Sequence, residues 1–123
     1  MSITQVRERN HRNASAVGAT LGRILEERVE RVLQQLLEER EIFSYEYHMP
    51  NSLEDRAGRD FTVWAMRGNT RVILPVGVTI SLERFAWCRR RHPNISLFWF
   101  PPGTRDKEIA RCVLEALKRA VKQ

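Results

Sequence analysis

Cysteine is scarce in this chain. Cys88 and Cys112 stand alone without CxxC spacing, which excludes a disulfide framework and makes a reducing, cytoplasmic setting the expected one. No apolar run approaches the length of a membrane span, and the N-terminus lacks the hydrophobic segment of a signal peptide. His11, His48 and His92 have no ligand spacing, and neither a Ser/His/Asp order nor a glycine-rich phosphate loop is present. Internal repeats, linkers and low-complexity segments are missing as well. Lysine is nearly absent: Lys107, Lys118 and Lys122 are the only three, and none precedes residue 107.

What remains is a basic, arginine-rich chain of ordinary globular composition. Its 123 residues are enough for one domain with a real core, at 42% hydrophobic and 29% charged. The formal charge is +6 and the pI about 10.1, with Arg supplying nearly all of the positive charge. That balance favours partners carrying phosphate, which Arg grips bidentately; genome composition produces the same Arg bias. Residues 1–14 read as a flexible basic arm and 15–123 as the folded domain.

Apolar periodicity predicts a long helix from about Ser15 to Arg40, with Leu21, Leu25, Val29, Val32 and Leu36 on one stripe widened by Ile24 and Leu33. Glu26 lies on the flank of that stripe, one turn after Gly22. Alternation of Phe43, Tyr45, Tyr47 and Met49 against Ser44, Glu46 and His48 predicts a half-buried strand. A polar loop over 50–59 leads to strands at 60–67 and 71–80, joined by Arg67-Gly68-Asn69-Thr70, a sequence for a type II′ hairpin. In that register Asp60 stands opposite Gly77, with Thr79 next on the same face, and Phe61, Val63, Ala65, Val72, Leu74, Val76, Val78 and Ile80 form the greasy face. Pro75 is the residue that would force a bulge. Ser81 is the expected N-cap of a helix ending in Arg89, Arg90, Arg91 and His92 before Pro93. A strand at 95–100 and a helix capped by Thr104, with Ile109, Val113, Ala116, Leu117 and Ala120 on its stripe, complete the chain. Trp64, Trp87 and Trp99 read as core or interface residues rather than base-stacking platforms. The fold class is α/β (α+β): one mixed-sheet domain in the order helix-strand-strand-strand-helix-strand-helix, with a right-handed parallel crossover between the last two strands.

This order, with Gly22-Arg-Ile-Leu-Glu26, Asp55-Arg-Ala-Gly58-Arg-Asp60-Phe61 and Leu74-Pro-Val-Gly77-Val-Thr79-Ile-Ser81 on successive elements, resembles the PD-(D/E)XK nuclease superfamily of restriction endonucleases and Holliday junction resolvases. The resemblance implies a restriction endonuclease-like fold and a divalent-cation site, Mg or Mn, at Asp60 and Glu26, with Asp55 beside them. It also marks a loss. Gly77 stands where the family has Glu or Gln, and Thr79 where it has the catalytic Lys. A cation needs a hard oxygen cage and the Lys positions the attacking water, so both losses fall on the chemistry. Arg84 offers charge without titrating, and Glu83 a displaced carboxylate. The expected function is therefore a catalytically degenerate nuclease-fold module that binds nucleic acid, DNA foremost, by backbone contacts or binds a partner protein, and that needs no cofactor. The alternatives are an active, divergent metal-dependent endonuclease using Glu26 and Asp60, and an assembly subunit, possible as a homodimer, whose charge is incidental. Arg89, Arg90, Arg91 and His92 are the expected phosphate-contacting group.

Overall fold

A computed structural model describes residues 3–50, 52–56 and 58–121. The elements are α1 (Ile3–Glu38), β1 (Ser44–Tyr47), a single turn α2 (Leu53–Arg56), β2 (Phe61–Arg67), β3 (Thr70–Thr79), α3 (Leu82–Arg91), β4 (Ser96–Trp99) and α4 (Asp106–Val121). Apart from α2, this is the expected order. One sheet runs β1-β2-β3-β4, antiparallel across its first two pairs and parallel between β3 and β4. The chain is a mixed α/β domain with a four-stranded mixed sheet.

The hairpin follows from its turn. Arg67 pairs with Thr70, and Gly68 takes φ +62° while Asn69 does not, the pattern that a type II′ turn requires. Pairing then continues without a bulge through Thr62↔Pro75 to Phe61↔Val76. Pro75 breaks no bond on the far edge, because β4 begins to pair with β3 only at Val76. One expectation fails at the end of the ladder. Asp60 is not directly opposite Gly77: its N–H donates to the Val76 carbonyl (2.8 Å), and its carboxylate accepts from the Val78 N–H (2.7 Å). Asp60 thus brackets Gly77 instead of pairing with it.

The core lies between the sheet and the pair α1 and α4. Val29, Leu33, Phe61, Val63, Ile109 and Leu117 are fully buried there, and complete burial of each large side chain contributes roughly 2 kcal/mol. Arg28 and Arg31 of α1 reach Asp106 at 3.1 and 3.0 Å, and Arg28 also donates to the Thr104 carbonyl, which fastens the start of α4 to the long helix. Thr104 is not the N-cap expected of it. Its hydroxyl turns back to the Pro101 carbonyl, and Arg105 provides the carbonyl that receives the first helical N–H groups. Ser81 does cap α3, accepting from the Arg84 N–H at 3.2 Å.

Other departures concern where apolar faces end. Helix α1 starts at Ile3 rather than near Ser15, so the backbone of the segment read as an arm continues the helix; extending a helix already fixed by packing is cheap compared with starting one. Leu21 and Ile24 are exposed although they lie on the apolar stripe. At β1 the alternation holds only for Tyr45 and Tyr47. Phe43 and Met49, beyond the strand, are exposed, while His48 is buried with its Nε2 at 2.7 Å from the Thr62 hydroxyl. Trp87 and Trp99 are 49% and 41% exposed and belong to no core, and Trp64 is half-buried.

Candidate functional site

A cleft of about 940 Å³ opens at the end of the sheet. Gly22, Arg23 and Glu26 of α1 form one wall, Tyr47 and Asp60 the floor, Asp55 and Gly58 a second wall, and Val78 to Ser81 with Arg84 the rim. The sequence reading is legible in this list: Glu26 and Asp60 line one cavity, and Asp55 joins them. Gly22 serves no close approach by another element, since a Cβ there would meet nothing within 4 Å. It leaves the mouth of the cleft open beside Glu26.

Each acid is held by a different kind of partner. Glu26 accepts a 2.9 Å hydrogen bond from the Tyr47 hydroxyl. Tyr47 was seen in the sequence only as an inward strand residue, because alternation reports which face a side chain takes and not what its tip reaches. Asp60 is held by the Val78 N–H and by a hydrogen bond to the Asp55 carboxyl. Burial pushes the Asp60 carboxyl up to about 7, and the nearby Glu26 and Asp55 charges push in the same direction against the Val78 N–H. Glu26 is also raised, chiefly by burial, with Asp55 adding to it and Tyr47 opposing it. The Tyr47 hydroxyl rises to about 12 through burial and its bond to Glu26. Arg23 and Arg84 act on Glu26 through their charge and draw its pKa down, against the rise that burial causes. The raised Asp60 carboxyl, hydrogen-bonded to Asp55, lessens the repulsion among the buried acids by keeping its proton.

The two strand positions that the resemblance marks, Gly77 and Thr79, are closed in different ways. A Cβ on Gly77 would lie 2.5 Å from the Gly58 carbonyl oxygen and 2.9 Å from Leu97 Cδ1. The backbone of the loop before β2 therefore fills the space that a side chain at residue 77 would need. Thr79 is buried, and its hydroxyl accepts from the Ser81 N–H at 3.1 Å, a local bond at the entry to α3. Arg84 lines the cleft and Glu83 does not.

These residues do not fit the divalent cation that the resemblance implies. Asp60 and Glu26 each have an oxygen committed to a donor, the third position has no side chain, and among the described residues no group of three or more His, Cys, Asp or Glu is placed to hold a metal ion. What the arrangement can do is hold and exchange a proton near neutral pH.

The basic group lies apart from the acids, at the end of α3. Arg89, Arg90 and Arg91 are exposed, with the Arg91 guanidinium 4.6 Å from the Trp87 ring centroid and Arg89 6.0 Å from that of Phe85. His92 does not share their exposure. It is half-buried as the C-cap of α3, with its ring against Gly58. No helix among the described residues is long and apolar enough to cross a membrane. Neither protein-family models nor curated proteins nor solved structures give a match to this chain.

Proposed function

We propose that this chain is a nuclease-fold module of the PD-(D/E)XK kind that has lost catalysis and binds nucleic acid by contacts to its phosphate backbone. One observation carries the reading: the Gly58 carbonyl stands where a strand-three acid would have to begin, 2.5 Å from the Cβ position of residue 77. A site that had lost only its acid would have a vacancy there, whereas this one is packed shut with backbone. Supporting it are the placement of Glu26 and Asp60 in one cleft at the sheet end and the parallel β3–β4 crossover through α3. The absence of any Lys before residue 107 acts in the same direction. For binding, the support is the exposed run Arg89, Arg90 and Arg91 on a helix that buries no residue. Each phosphate that such a group neutralises releases condensed counterions, so affinity falls steeply with salt.

Incubation with duplex, branched and single-stranded DNA in magnesium and in manganese should give no cleavage above background. Cleavage that vanishes in Asp60→Ala would overturn the reading in favour of the active endonuclease, with Glu83 and Arg84 the next residues to replace. Retention on DNA at low salt should be lost when Arg89, Arg90 and Arg91 are replaced by Ala. A wild-type chain that is not retained at all would make the charge incidental and favour the assembly subunit.

A further inference from the structure

Helix α3 places a tryptophan at the centre of its outward face. Counting 100° per residue, Phe85, Cys88 and His92 form the flank turned to the sheet, and all three are half-buried. Trp87 points to the opposite side, with Arg84 one turn before it and Arg90 and Arg91 one turn after. All four side chains are exposed, and none of them forms an ion pair among the described residues. Arg91 covers one face of the indole at 4.6 Å, so the exposed half of Trp87 is its other face and edge.

We infer that this face of α3 is a site for single-stranded nucleic acid, in which a base stacks on the free face of Trp87 while Arg84, Arg90 and Arg91 contact the flanking phosphates. The inference rests on the binding reading above and gives its ligand. Three physical points carry it. First, a half-exposed Trp on a helix with no buried residue contributes nothing to the core, yet an indole ring is the best stacking surface a protein has. Second, the cation–π contact of Arg91 with the ring, 4.6 Å to the centroid, engages none of its N–H groups in an ion pair among the described residues, so Arg91 can serve both the ring and the backbone. Third, bases inside a duplex are already stacked and present no free face to a side chain in the middle of a helix. Ten residues of α3 extend roughly 15 Å, the reach of about four nucleotides. The acids of the cleft repel phosphate, so a bound strand keeps to this outer face, and Arg84, which also lines the cleft rim, marks its nearest approach to Glu26. Charge complementarity selects a polyanion, and the ring distinguishes a nucleic acid from an acidic peptide.

The test compares a 20-nucleotide oligo(dT), a duplex of equal length and polyglutamate as ligands, using Trp87→Ala, Trp87→Phe and Arg90→Ala. Trp87→Ala should weaken oligo(dT) binding on the order of tenfold and leave duplex binding nearly unchanged, whereas Trp87→Phe should retain most of the single-strand affinity. Arg90→Ala should weaken both nucleic acids and lower the salt slope by about one. An unchanged melting temperature in the Trp87 variants establishes that the loss is local. Equal weakening of single strand and duplex in Trp87→Ala, or displacement of oligo(dT) by polyglutamate at equal charge, overturns the inference and leaves backbone binding standing. A wild-type chain that retains neither nucleic acid overturns both.

Discussion

Helices α3 and α4 follow the same rules of charge and differ in what they bury. Each has an acid in its first turn, Glu83 in one and Asp106 with Glu108 in the other. Each ends in cations, Arg89 to Arg91 in one and Lys118 with Arg119 in the other, so both complement the helix dipole. Yet α4 buries Ile109, Val113, Ala116 and Leu117, and α3 buries nothing. Charge at a helix end therefore says little about a ligand on its own. Burial is the distinction: α4 is structural, and α3 is a surface element whose one large ring faces outward.

Truncation should expose this contrast most strongly. Leu117→Ala should cost about 3 kcal/mol, the scale for a fully buried leucine, while Trp87→Ala should change stability by less than about 0.5 kcal/mol despite removing a larger side chain. Urea denaturation of the two variants measures the difference, and comparable losses would mean that α3 packs as tightly as α4.

The next largest effect concerns two glycines. Gly77→Ala should destabilise by about 2 kcal/mol, since the new methyl meets a backbone carbonyl that cannot step aside. Gly22→Ala, in open space on α1, should stabilise by about 0.5–1 kcal/mol. Opposite signs are expected from thermal unfolding; a stabilised Gly77→Ala would show that the loop before β2 yields freely.

Two aspartates give a contrast in pH. Folded Asp60 titrates at about 7, above its ordinary 3.8, so between those values the folded chain holds a proton that the unfolded chain has released. Stability from this group is full at low pH and is lost as pH rises through that window. Asp106 has the opposite sign. Burial pushes it up, but the Arg28 and Arg31 hydrogen bonds outweigh this and hold it below 3.8, so its contribution fails only on acidification below that value. Asp60→Asn can accept from Val78 and donate to Asp55, and it should gain about 1–2 kcal/mol at pH 8 and nothing near pH 4. Melting curves of both proteins across pH 4–8 should diverge on the alkaline side; parallel curves would show that Asp60 titrates normally.

The smallest effect lies where α1 ends. Arg40 occupies φ +61°, a conformation that costs a side chain little less than 1 kcal/mol relative to glycine. Arg40→Gly should raise stability by about 0.5 kcal/mol in the same urea titration.

The sequence was most informative where a single period governed a long element. The stripe of α4, the hairpin register set by Gly68, and the Ser81 cap could all be read because local geometry fixes them. Asp60 and Glu26, which the resemblance placed at one site, do line one cleft. The rest depended on contacts between distant segments. Nothing near Gly77 announces that the Gly58 carbonyl covers it, and nothing near Tyr47 announces Glu26 as its acceptor. Thr104 departs for a local reason: its hydroxyl takes the Pro101 carbonyl, and Arg105 stands at the helix entry instead. Trp87 and Trp99 read as core or interface residues, but a ten-residue helix and an edge strand offer too little covering surface to bury them in a core.

The contact between Gly58 and Gly77 also constrains how this chain can change by mutation. Gly58 sits at φ +85° with the His92 ring 2.9 Å from where its own Cβ would be, and Gly77 is closed by the Gly58 carbonyl. Neither position accepts a side chain without movement nearby: the His92 ring blocks residue 58, and the Gly58 carbonyl blocks residue 77. A carboxylate at residue 77 is therefore not one substitution away, because the backbone of the Gly58 loop must move to make room for it. The present form of the cleft is entrenched.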